Sequence, residues 1–149
     1  MMEKFTAEKQ LQEPLLAWLH QKRRVDADSE VFEEVPWFGR RIDLVTVTQS
    51  RRVTAYELKL NSFRRAVEQA AYNRIAFDRA YVVTAAYPKS SSLELAIDVG
   101  VGVIVIDANG VKEISASPMK RAAQEIRQRL LATIREIRED VPEPVFALS

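Results

Sequence analysis

Residues 40–60 read RRIDLVTVTQSRRVTAYELKL. Two runs rich in β-branched and apolar residues, 42–47 and 53–60, flank the polar QSRR at 49–52, which is the pattern of two strands and a tight turn. Asp43, Glu57 and Lys59 interrupt these otherwise core-like runs. Charge inside a sheet is costly unless it is paired or bound to a metal. An antiparallel hairpin centred on Ser50 sets Val47 against Val53, Thr46 against Thr54, Val45 against Ala55 and Leu44 against Tyr56. Cross-strand pairs of this kind are favourable. The same register sets Asp43 opposite Glu57, and strand alternation points Glu57 and Lys59 to one face. A slip of one residue would part the two carboxylates. Two carboxylates and an ammonium suit a hard divalent cation with a cationic neighbour.

The rest of the chain bounds what this hairpin can belong to. A length of 149 residues, 47% apolar and 29% charged, predicts one soluble globular domain over 1–149 with a loosely held tail from about 141. There is no cysteine, which excludes disulfides, thiolate zinc sites and a cysteine nucleophile. A single histidine, His20, argues against His-based metal sites and Ser-His-Asp chemistry. No run reaches the ~18–20 apolar residues of a membrane span, and MMEKFTAEKQ lacks the apolar core of a signal peptide, so a cytoplasmic, membrane-free protein is expected. The net charge is only +1, yet basic residues are grouped at 22–24, 40–41, 51–52 and 64–65. Clusters like these can form a phosphate-binding rim without high overall charge. Arg40, Arg41, Arg64 and Arg65 flank the hairpin and are the expected nucleic-acid contacts. Trp37, in a predicted turn at 36–39, is a further candidate for stacking on bases, although such aromatics more often cover a sheet edge.

Along the chain, periodicity predicts a helix over about 6–23 capped by Thr6, with Pro14 kinking it or delaying its start. A short strand at 31–35 follows. Of Glu33 and Glu34, alternation lets only one face Asp43, and Glu34 is favoured. After the hairpin come a helix at about 63–77 capped by Asn61-Ser62, with Ile75 on its buried side, a buried strand at 79–86 and a serine-capped helix at 90–99. Strands at 103–107 and 111–115 follow, then a helix from Ser117-Pro118 to about 139 with a clean apolar stripe. That helix packs on the sheet, and homodimerisation through a protruding end is its second possible role. Gly100-Val-Gly102 is not a dinucleotide fingerprint, because those glycines follow a strand and open a helix, and these do the reverse. This element order gives a mixed sheet with helices on both faces, an α/β/α sandwich.

Asp43, then Glu57-Leu58-Lys59 at the end of the next strand, resembles the PD-(D/E)XK nuclease superfamily, which includes restriction endonucleases, archaeal Holliday-junction resolvases and RecB-type exonuclease domains. The proline that names the motif is absent here, Ile42 standing before Asp43, and the resemblance extends over most of the chain. It implies a restriction-endonuclease-like fold and metal-dependent hydrolysis of nucleic-acid phosphodiesters, DNA in preference to RNA, with Mg²⁺ or Mn²⁺ as cofactor. By the same resemblance Asp43, Glu57 and the Leu58 backbone carbonyl would hold the metal, and Lys59 would orient or deprotonate the attacking water. Glu8, in E-x-x-L-x-x-x-L with Leu11 and Leu15, looks like the glutamate of resolvase-type enzymes that reaches the metal, with Glu13 as its competitor. Gln69 matches the glutamine that steadies phosphate or water, but Asn73 stands where the RecB-type pattern has tyrosine. Two other functions remain open from sequence. One is a non-catalytic DNA-binding or assembly module of the same fold; the other is a structural domain in which Lys59 merely neutralises the carboxylates.

Overall fold

The computed structural model describes residues 5–140. A short 3-10 turn (Glu8–Leu11) runs into α1 (Gln12–Gln21). The strands β1 (Glu30–Trp37), β2 (Arg40–Val47) and β3 (Val53–Lys59) form an antiparallel meander. Then follow α2 (Phe63–Asn73), β4 (Arg79–Thr84), α3 (Ser90–Asp98), β5 (Gly102–Asp107), β6 (Gly110–Ser115) and α4 (Gln124–Asp140). All six strands lie in one sheet in sequence order, with β3, β4 and β5 parallel and the flanking pairs antiparallel. The two parallel steps are the two that carry a crossover helix, as parallel pairing requires.

Helices cover both faces, so the predicted α/β/α sandwich is present. On one face Leu11, Leu15, Trp18 and Leu19 pack on Leu44, Tyr56, Leu58 and Tyr81. On the other, α4 lays Leu130 and Ile134 on Val45, Val47, Val53 and Ala55. Beside it α2 and α3 set Ala66, Val67, Ala70 and Ala96 against Ala80, Val82, Val103 and Val105. The small side chains of α2 let it lie close to the sheet, as expected from sequence. α4 is joined to the residue before β4 by a part-buried ion pair, in which Arg127 Nη1 donates to both oxygens of Asp78 (2.8 and 2.9 Å). Asp78 in turn accepts the Val53 N–H at 2.8 Å.

Element ends differ from expectation for local reasons. Thr6 does not cap the first helix; its N–H and that of Ala7 donate to the Gln10 side chain instead (2.8 and 3.0 Å). Pro14 falls in the first turn of α1, where a missing N–H costs nothing, so the start is delayed and no kink forms. β1 continues through Pro36 and Trp37, leaving only Phe38-Gly39 as the turn. Trp37 is thereby buried beside Val35 and Ile42, and Phe38 is the exposed aromatic. Ser62 gives no side-chain cap, and α2 stops at Asn73, leaving Ile75 exposed. Ser90 does not cap α3, whose N-cap is Lys89. Ser117 starts no helix. Its hydroxyl donates to the Gly100 carbonyl (2.8 Å) and accepts the Ala80 N–H (3.2 Å), tying the chain after β6 to β4 and β5. The helix begins only at Gln124. The expected loose tail from about 141 lies outside the described residues.

Gly102 shows what Gly-Val-Gly is for. A Cβ there would stand 2.3 Å from the Tyr81 ring and 2.7 Å from the Ser117 backbone nitrogen. Gly102→Ala is therefore expected to destabilise by about 1–3 kcal/mol, the usual cost of overpacking, measurable as a lowered urea midpoint.

Candidate active site

The register is the one predicted: Leu44 pairs with Tyr56, Val45 with Ala55, Thr46 with Thr54 and Val47 with Val53. The ladder ends at Leu44–Tyr56, one step short of Asp43 and Glu57. The pairing of β1 with β2 likewise skips one pair, Glu34 and Asp43. Glu34 has φ +49°, a left-handed conformation unusual for a side-chain-bearing residue. Phe32 and Val35 both pack on the α4 side, as do Ile42 and Val45, a spacing of three where a regular strand demands an even number. Both strands therefore switch faces at Glu34 and Asp43, the paired equivalent of a β-bulge, a feature that commonly re-aims side chains next to active sites.

The switch turns Asp43 toward β3. Its Oδ2 accepts the Leu58 N–H at 2.8 Å, a bond that a continued ladder would have given to backbone. In a strand the N–H and C=O of one residue face the same neighbour, so the Leu58 carbonyl is also directed toward this gap. Glu57 is buried, 5% exposed, and its Oε1 accepts the Asn73 side-chain N–H at 2.9 Å. The Asn73 carbonyl oxygen in turn accepts from Arg40 Nη2 at 3.3 Å, so one amide orientation links carboxylate to guanidinium. Burial, and next the charge and shared hydrogen bond of Asp43, push the Glu57 carboxyl up to about 7; Asn73 and Arg40 oppose this.

A cavity of about 320 Å³ opens beside the pair, lined by Asp43, Leu58, Lys59 and, from the first helical turns and β1, Glu8, Glu33 and Glu34. The Lys59 ammonium lies 3.8 Å from Glu8 Oε2. Glu57 is not part of this wall, since it faces α2 while Lys59, at the strand end, reaches the α1 side. Thus Glu57 and Lys59 do not open on a common hollow as alternation alone predicted. Nor is only one of Glu33 and Glu34 turned inward: the face switch brings both to the cavity, and Gln12 donates to Glu33 there. Glu13 is exposed and stands apart. Gln69 is half-buried and makes no side-chain hydrogen bond among the described residues; Asn73, one turn later, is the helix residue that touches the pair.

Of the flanking arginines, Arg40 is half-buried and stacks over the Tyr72 ring at 5.2 Å. Arg41 pairs with Glu34 at 3.8 Å with both side chains largely exposed, a contact worth little. Arg64 and Arg65 are exposed at the start of α2. Next to Arg40 lies an apolar hollow of about 580 Å³ walled by Trp37, Phe38, Tyr72 and Ile75.

Among the described residues no group of three or more His, Cys, Asp or Glu side chains converges to hold a metal. The candidate donors are the Asp43 carboxylate and the Leu58 carbonyl at the cavity and the Glu57 carboxylate, which does not line it. That set fits Mg²⁺, which keeps several waters and is commonly bound through one or two carboxylates plus substrate phosphate. A buried carboxyl that resists ionisation beside a second carboxylate also fits, because a divalent charge offsets both.

No protein-family model matches the chain, and no curated protein matches it. Among solved structures it is similar to a protein of unknown function from Silicibacter pomeroyi, at TM-score 0.65 and 18% identity over 92% of this chain and 89% of that one. It is also similar to a repair endonuclease from Pyrococcus abyssi, at TM-score 0.48 and 12% identity over 71% and 50% of the two chains. A third is Pyrococcus furiosus SfsA in complex with Ca²⁺, at TM-score 0.39 and 14% identity over 76% and 62%. The first likeness establishes the fold, not the chemistry.

Proposed function

We propose that the protein is a metal-dependent nuclease of the restriction-endonuclease-like kind, hydrolysing phosphodiesters of nucleic acid, DNA in preference to RNA. The observation that supports this best is Asp43, locked by the Leu58 N–H against the buried Glu57, at a cavity that also holds the Lys59 ammonium. The cavity's carboxylates would repel a phosphodiester unless a cation intervened. When bound, Mg²⁺ or Mn²⁺ supplies Lewis-acid polarisation of the phosphoryl group and a lowered pKa for water. Asp43, Glu57 and the Leu58 carbonyl would hold it. Lys59, as an ammonium, orients the attacking water and offsets charge developing on the phosphoryl oxygens as the new O–P bond forms and the ester P–O bond breaks. Glu8 anchors Lys59 and presents a second oxygen to water. Arg64 and Arg65, exposed at the start of α2, would follow a strand's phosphates, and the exposed Phe38 and Tyr72, rather than the buried Trp37, would meet a base.

Purified protein with Mg²⁺ or Mn²⁺ is expected to cleave at least one of plasmid, linear duplex, branched and single-stranded DNA. Calorimetric titration with Mn²⁺ should give a binding isotherm that Glu57→Ala removes, together with cleavage. DNA binding with a steep salt dependence but no cleavage of any substrate would instead favour a non-catalytic module on the same fold.

A further inference from the structure

At the other end of β2 and β3, on the α1 side of the sheet, lies a second hollow of about 250 Å³. Arg23, Arg24, Arg52 and Arg79 line it, with the hydroxyl of Thr54 among them and Asp78 as its carboxylate. Two of these charges are already matched. Arg24 is held in a bidentate pair with Glu113 (2.9 and 2.7 Å), and Asp78 is held by Arg127. Among the described residues no carboxylate forms an ion pair with Arg23, Arg52 or Arg79. Three arginines thus line one small space with no ion-pair partner of their own among the described residues, Arg52 donating only to the Met119 sulfur. Arg79 adds a sharper sign, because its Nε is buried and has no hydrogen-bond partner. Buried donors are ordinarily satisfied, so a vacant one on a residue that lines this hollow calls for an acceptor.

We propose that this hollow binds a small oxyanion of phosphate type. The guanidinium forks suit tetrahedral oxyanions, taking two oxygens at once. The volume lies below the roughly 300–1,000 Å³ of sites for drug-sized ligands, so the occupant is a single phosphoryl group rather than a whole nucleotide. That group can be free phosphate or the terminal phosphate of a nucleic-acid strand. The site requires neither a metal nor Asp43 and Glu57, so it stands or falls separately from the nuclease.

The test is calorimetric titration of the full chain, in phosphate-free buffer at low salt, with inorganic phosphate and with a short oligonucleotide bearing either a 5′-phosphate or a 5′-hydroxyl. Saturable binding of phosphate is expected if the source is free anion. Preference for the 5′-phosphorylated strand over its hydroxyl twin, without binding of phosphate alone, is expected if the source is a strand end. In either case Arg79→Met and Arg52→Met should each weaken binding roughly tenfold or more, the effect of one lost charge-assisted hydrogen bond. Arg52 is exposed beside the hairpin turn, so its variant decides the matter if Arg79→Met does not fold. Absence of saturation by any of the ligands, or equal affinity in wild type and Arg52→Met, would overturn the proposal.

Discussion

Lys59→Ala is expected to lower the rate of DNA cleavage by ~10²–10⁴-fold while leaving the Mn²⁺ isotherm intact. The ammonium belongs to the cavity that Asp43 lines, and it pairs there with Glu8 at 3.8 Å. Its removal takes away a group positioned for the water and for transition-state charge, in a site where electrostatics does most of the work. The metal's ligands are untouched, so binding and chemistry should separate in this variant and fall together in Glu57→Ala. Lys59→Arg keeps the charge but spreads it over a planar fork, and partial activity is expected from it. Cleavage by Lys59→Ala at the wild-type rate would mean that the activity resides elsewhere or in another protein.

The hairpin was legible because its evidence is redundant. Four cross-strand pairs, alternation and a polar turn all demand one register, and that register forms. The mixed sheet with helices on both faces followed from the element order, since each long connection carries a helix and the short ones do not. What sequence could not supply is the face switch at Glu34 and Asp43. Alternation is a rule for regular strands, and a paired irregularity in two neighbours leaves the register sum unchanged while re-aiming the side chains. This is why Glu33 and Glu34 share the cavity and why Glu57 does not open into it. The helix termini failed for a related reason. Ser62 and Ser117 are good caps by propensity, yet Ser62 sits at φ +55° with no side-chain cap bond, and tertiary contacts claim the Ser117 hydroxyl, which joins β4 to the turn before β5.

The position of Asn73 on α2 carries a signal of its role. It continues the buried stripe Ala66, Val67 and Ala70 of α2, where an apolar residue is the rule. A buried amide in such a stripe needs a partner, and the nearest buried charge without one in the sequence was Glu57. Gln69 matches the family's glutamine by its place on the helix after the strand, but its half-exposed flank carries no such demand.

The Glu57 carboxyl also makes a stability prediction with a definite sign. Its pKa rises from 4.5 to about 7 on folding, with burial first and Asp43 second among the causes. Between these values the native state holds a proton that the unfolded chain has released. The native state therefore binds more protons, and stability falls as pH rises through this window, the loss being complete above about pH 7. The span from 4.5 to 7 corresponds to roughly 3 kcal/mol at 1.36 kcal/mol per unit. In Glu57→Gln the amide oxygen can still accept from Asn73, but there is no charge to bury. With chelator present, this variant should match wild type near pH 4 and exceed it by up to roughly 3 kcal/mol at pH 8, read from urea melts. Asp43→Asn should act in the same direction, since its carbonyl can keep the Leu58 N–H while the repulsion on Glu57 disappears. Divalent metal should reverse the effect in wild type alone, stabilising it increasingly above pH 7 as the proton it must displace is already gone. If the gap between wild type and Glu57→Gln is the same at pH 4 and pH 8, Glu57 does not titrate in this range and the strained carboxylate pair is not what the site contains. If Asp43→Asn instead loses several kcal/mol at every pH, Asp43 is there to hold β2 to β3 rather than to hold a metal.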